Sequence, residues 1–419
     1  MKWIFAVAVL LLTGCEQKKE EIELELPTRS FENRVGTVFS ALPEDIFAAP
    51  AVEIVELPRT SSDLDAIWGA SGKDDNGNIY FGVSSHDGNY GSSFLYQYNP
   101  STQKITSQGD TVRELKNNDL YKEGSRQNKL HSKIYQANDG YLYFSSFDET
   151  GEDEGVNPLW GGHLWRKLPD SQNWEHVMST PEALIAVNTN GRYVYALGYW
   201  DHVLYQYDTK TEETKRVVAG SVNMHVSRNF IVDENGHAYV PSLSHIDSEQ
   251  IKAELIEYDT QLNVVAKYPL PSYKSKNINH HHGIVAYTSM KNGNIYFTTA
   301  DGGLYLISPF HDTNPKLQYM GMMHPDGKAY ISSLFTIDGE ELLVGVGKRA
   351  RYEWIVYETT IDMSYTSKLN LNKLNNPALF GSLTKNNNGD MYVVGRHHTQ
   401  GGYQPIMLKI HTKDADELY

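Results

Sequence analysis

The stretch HSKIYQANDGYLYFSS, His131 to Ser146, holds a strand-like run, an Asn-Asp-Gly turn and a second run in which aromatic and small residues alternate. Asn-Gly and Asp-Gly accept a positive φ at little cost, so this order of residues predicts a tight β-hairpin. The signature returns in AIWGASGKDDNGNIYFGVSS from Ala66, ALIAVNTNGRYVYALGY from Ala183, HVSRNFIVDENGHAYVPS from His225, HGIVAYTSMKNGNIYFTT from His282, YISSLFTIDGEELLVGVG from Tyr330 and LFGSLTKNNNGDMYVVG from Leu379. The turn glycines Gly77, Gly140, Gly191, Gly236, Gly293, Gly339 and Gly389 are about 52 residues apart on average, the length of a four-stranded unit with its loops. A second strand pair follows each copy, often announced by Tyr-x-Tyr-Asp or a variant, as in LYQYDTKT from Leu204 and LIEYDTQL from Leu255. Two hairpins per unit and seven units predict an all-β chain folded as a seven-bladed β-propeller. The rungs of a β-solenoid are shorter than this repeat.

The 419 residues are 40% hydrophobic, enough to bury a large core. Acidic residues outnumber basic ones, 52 to 37, for a formal charge of −15, which argues against a nucleic-acid partner held on a broad basic surface. The 28 tyrosines and 7 tryptophans suit strands, and also clefts in which flat rings lie against sugars. Near the start, Lys2 precedes the apolar run WIFAVAVLLL, which ends in Leu-Thr-Gly-Cys. The run is short for a membrane span and resembles a bacterial lipoprotein signal cut before Cys15, the only cysteine, whose thiol is then lipidated. The expected organisation is a signal peptide over 1–15, a tether and N-terminal extension over 16–50, and the propeller over 51–419. That places a monomer at the bacterial envelope, at the outer membrane facing periplasm or exterior, touching the membrane through its lipid anchor alone.

In a propeller, the residues just before each innermost strand gather at one mouth of the central channel, together with the loops joining second and third strands. That rule brings forward His131, His225 and His282, with His280 and His281 beside the last and His324 ahead of the sixth unit. Loops on the same face supply His163, Tyr199, Trp200, His202, His245, Arg349 and Arg396, and Arg228 sits three residues into the fourth unit. No paired carboxylates mark a glycosidase, and neither a Gly-x-Ser-x-Gly elbow nor a Walker loop is present. Arginine, histidine and tyrosine together suit β-elimination on an acidic polysaccharide: a cation neutralises the uronate carboxylate, and Tyr or His removes the C5 proton and protonates the leaving oxygen at C4. Trp200, His245, Arg349 and Arg396 are candidate substrate contacts. His225, His282 and His324 are candidate ligands for one divalent metal ion, zinc or else calcium or manganese, in a structural role; no organic cofactor is expected.

The segments LHSKIYQANDGYLYFSS, GGHLWRK, HVSRNFIVDENGHAYVP, HHHGIVAY and HPDGKAYISSLF resemble the pattern of the seven-bladed propeller ulvan lyases, polysaccharide lyase families twenty-four and twenty-five. The resemblance runs from about Leu57 to the end and implies β-eliminative cleavage of ulvan, a sulfated polymer of rhamnose and uronic acid. It implies catalytic roles for His131 and His163, carboxylate neutralisation by Arg228, and a general base at Tyr199 or, alternatively, His225. Two other readings stay open: an oligogalacturonate lyase on a related propeller, and a surface sugar-binding propeller without turnover.

Overall fold

A computed structural model describes residues 47–58, 64–85, 91–151, 156–222, 225–247, 250–273, 283–310, 316–337 and 342–411. Cys15, His280, His281 and His282 lie outside the described residues. The chain divides into two compact units, 1–41 and 42–419, and all the described residues belong to the second. No helix among them is long and apolar enough to cross a membrane.

Five of the hairpin turns share one construction. In the fourth unit, Gly236 donates its N–H to the Asp233 carbonyl at 2.9 Å, Asp233 donates back to the His237 carbonyl at 3.0 Å, and Gly236 has φ +84°. Gly77, Gly140, Gly293 and Gly389 repeat the pattern with φ between +81° and +88°, the geometry of a type I turn closed by a glycine bulge. In two of these turns an acid three before the glycine holds a tyrosine three after it: Asp74 accepts from the Tyr80 hydroxyl at 3.2 Å, and Asp233 accepts from Tyr239 at 3.0 Å and from the His237 N–H at 2.9 Å. These two turns thus pin a buried ring of the following strand.

These hairpins build a β-propeller. Four blades are antiparallel meanders in chain order: Leu184–Thr189 to Thr214–Val218, Ile231–Val232 to Val264–Pro269, Ile284–Ser289 to Leu317–Met322, and Tyr330–Ile337 to Met363–Lys368. In a fifth, the early strand Val52–Val55 pairs with the last strand, Gly402–Ile410, which pairs with Met391–Thr399. The first and last described strands therefore share one sheet, which ties the ring closed. The ten strands between Leu64–Ala66 and Glu175–Thr180 form a single sheet. The expected seven separate blades are thus corrected to five separate blades and one joined sheet. The join is a parallel pairing of Ser71–Lys73 with Ile134–Gln136, and it depends on Gly72: a Cβ there would meet the Ile134 carbonyl oxygen at 1.8 Å.

The apolar core lies between neighbouring blades rather than inside each one. One cluster joins Phe147, Leu197, Phe230 and Ile256 across three successive hairpin units, and another joins Val344, Trp354, Val393 and Leu408. Side-chain bonds to backbone link the second unit to the third, the third to the fourth and the fourth to the fifth: Ser145 to the Leu184 carbonyl at 2.8 Å, Asn188 to Phe230 at 2.9 Å, Asn229 to Ile284 and Val285 at 3.1 and 2.9 Å. The phenols of Tyr135 and Tyr287, from two innermost strands, hydrogen-bond to each other. One seven-residue helix, Thr111–Asn117, departs from the all-strand expectation; Asp110 caps it by accepting from the Arg113 N–H.

Candidate functional site

The starts of the innermost strands converge on a narrow cavity lined by Trp68, His131, Lys133, Arg228, Asn229, Val285, Tyr330, Phe380 and Gly381. Its non-atom volume is about 250 Å³, and within that there is room for roughly one water molecule. Trp68 and Phe380 stack at 4.5 Å and form an aromatic wall. The Arg396 guanidinium lies 4.7 Å above the Trp68 ring, with Lys129 Nζ 5.1 Å from the same ring and Arg228 6.0 Å from Phe380. Two of these cations are paired, Arg396 with Asp65 at 3.1 Å and Lys129 with Glu149 at 2.8 Å. In a chain of net charge −15, these three cationic side chains meet at one opening.

Lys133 is buried, and its amine donates to the Gly69 carbonyl at 2.9 Å and to the Gly381 carbonyl. Burial, and then the neighbouring Arg228, push that amine down to about 7. A neutral amine has two N–H donors, which these two carbonyls use, so its lone pair stays uncommitted. Arg228 and the Tyr330 phenol line the cavity together, and among the described residues the buried Arg228 Nε has no hydrogen-bond partner. Burial pushes the phenol's pKa up while Arg228 pulls it the other way, so at neutral pH Tyr330 is a proton donor.

The structure brings His131 and Arg228 together in this cavity, sets Arg396 against its aromatic wall and places the other described candidates elsewhere. Tyr199 is buried edge-on against Phe147 at 5.8 Å, and Phe147 in turn lies 6.3 Å from His131, so one ring stands between Tyr199 and His131. Trp200, at φ +61°, stacks on Tyr199 at 5.0 Å. His163 is on the strand Gly162–Lys167 and faces His176 at 3.1 Å. His225 is buried between Ser221 and the Tyr273 phenol, at 2.7 and 2.8 Å, with His202 edge-on beside it. His245 is exposed at the end of its strand, Arg349 pairs with Asp326 at 2.9 Å, and Arg396 borders the aromatic wall.

Of the metal candidates, His225 and His324 are described. Both ring nitrogens of His225 are taken by Ser221 and Tyr273, and those of His324 by Glu353 at 3.0 Å and the Asp326 N–H at 3.0 Å. His282 lies outside the described residues. Among those residues no three His, Cys, Asp or Glu side chains cluster as metal ligands do.

No family model matches the chain, and no curated protein matches it. It is similar to a solved chain in the crystal structure of a mitotic checkpoint complex, with a TM-score of 0.51 and 8% identity over 93% of this chain and 100% of that one. At that identity the likeness shows the fold alone.

Sequence reasoning passed over Trp68, Lys133, Tyr330 and Phe380. Lys133 stands two residues after His131 at the front of the same hairpin, and Tyr330 opens the sixth repeat as His131 opens the second. Reading the strand-opening position for every polar side chain, instead of for histidine, would have found both.

Proposed function

We propose that this mouth binds an acidic uronate-containing polysaccharide, with ulvan as the favoured substrate, and cleaves it by β-elimination. The observation that carries the reading is the convergence of His131, Lys133, Arg228 and Tyr330 on one slot walled by Trp68 and Phe380. The slot admits a small group and no sugar ring, so the polymer lies across the mouth and projects a carboxylate toward Arg228. Neutralising that carboxylate acidifies the C5 proton. His131 accepts the proton, the C4–O4 bond breaks as Tyr330 protonates the leaving oxygen, and the electron pair forms the C4=C5 double bond. The same narrowness favours a second reading, a sugar-binding propeller without turnover, in which the aromatic wall and its cations supply affinity only.

We read the ten-stranded sheet as two blades sharing a parallel seam, which makes the propeller seven-bladed. The leader remains proposed as a lipoprotein signal that anchors the chain through Cys15 to the bacterial envelope.

The test mixes purified protein separately with ulvan, polygalacturonate and alginate and follows the ultraviolet absorbance of the unsaturated uronate. A rise with ulvan, lost by about a hundredfold or more in R228A and H131A, supports the lyase. A rise with polygalacturonate alone moves the substrate to pectin fragments. Retained binding with no rise on any polymer leaves the sugar-binding propeller.

A further inference from the structure

We propose that His163 Nδ1, His176 Nε2 and Ser179 Oγ form a surface site for one divalent transition-metal ion of the zinc class, separate from the channel mouth. The three atoms make a nearly equilateral triangle, with His163 to His176 at 3.1 Å, Ser179 to His163 at 3.2 Å and Ser179 to His176 at 3.1 Å. An ion about 2 Å from each atom, the usual distance for nitrogen and oxygen ligands of zinc, sits about 1 Å above that plane and leaves a fourth, tetrahedral position for water.

A β-bulge creates the arrangement. In a regular strand His176 and Ser179, three residues apart, point to opposite faces. Here His163 pairs with Ser179, Leu164 with Met178 and Trp165 with His176, so Val177 is the extra residue. It reverses the alternation and turns His176 to the face that carries Ser179 and His163. His163 is buried against Trp165, ring to ring at 5.5 Å, while His176 is part-buried and Ser179 is exposed. The inner ligand is thus fixed and the outer side open to an arriving ion.

The chemistry of the donors agrees. Burial, and then His176, push the His163 imidazole down to about 3, and burial also lowers His176 against the opposing pull of a hydrogen bond with the Met178 backbone. Both rings are neutral at physiological pH, the form that ligates a metal. Two imidazoles and a hydroxyl suit zinc, nickel or copper(II) and not the hard calcium or magnesium ions.

The experiment titrates the full chain with Zn2+ by calorimetry and with Co2+ by visible absorption, in a background where His280, His281 and His282 are replaced by Asn, because that run binds such ions by itself. The expected result is one equivalent of Zn2+, tetrahedral Co2+ bands, and a thermal transition raised by Zn2+. H176Q should weaken Zn2+ binding by about tenfold or more and abolish the bands, and S179A should weaken it less. Both variants should melt like the parent without metal, since they alter the open side of the site. Equal Zn2+ affinity in parent and H176Q, or Co2+ bands unchanged in the variant, overturns the proposal.

Discussion

At the scale of single residues, Lys133 shows how burial changes what a side chain is. Its two carbonyl partners come from Gly69 and Gly381, and the Gly381 contact spans 248 positions of sequence. In the unfolded chain the amine titrates near its ordinary value of 10.5; in the folded chain it titrates near 7. Between those values the unfolded state binds more protons, so stability rises with pH there, and it is flat below about 7 where both states are charged. Relative to K133M, the native chain should gain up to about 1.4 kcal/mol per pH unit between about pH 7 and 10. Urea midpoints of the two proteins, compared at about pH 6 and about pH 9, check this; a difference that does not change with pH means the amine is charged in the fold. His131 was legible because its place at the front of a hairpin repeats along the chain. Tyr330 opens its repeat as His131 does, and Lys133 stands two residues on from His131, but both were hidden by chemistry, since tyrosine and lysine are ordinary strand residues.

At the scale of elements, the glycine turn is the unit that repeats, and in two copies an acid caps it. Asp233 accepts both the His237 N–H and the hydroxyl of Tyr239, whose ring is fully buried. D233A removes both acceptors and leaves the phenol with only the longer contact to Glu257 at 3.3 Å. It should cost about 1–3 kcal/mol, read as a lower urea midpoint with an unchanged slope. Y239F in the D233A background should recover part of the loss, because the unsatisfied hydroxyl then disappears. The turns were legible because positive φ selects Gly, Asn and Asp whatever the surroundings. The bulge at Val177 was not: nothing in Glu175–Thr180 marks the extra residue, which exists only relative to the register of the facing strand.

At the scale of the whole molecule, closure decides stability. Val55 is buried among Leu64, Tyr392 and Met407, and its strand covers the edge of Gly402–Ile410. V55D places a charge in that contact and should cost about 3 kcal/mol or more, seen as a lower melting temperature together with exposure of the freed strand edge to aggregation. A melting temperature within about one degree of the native chain would mean the ring closes without this strand.

The sequence by itself determined the all-β architecture, the hairpin repeat with its turns, and the placing of His131 and Arg228 at strand fronts. These follow from local φ preferences and from two-residue alternation, which act over a few neighbouring positions. Only the tertiary structure decided that Trp68, Lys133, Tyr330 and Phe380 join them, that Gly72 merges two hairpin units into one sheet, and that His163 meets His176 away from the channel. Those meetings depend on ring closure and strand register, which set distances between residues that no spacing along the chain encodes.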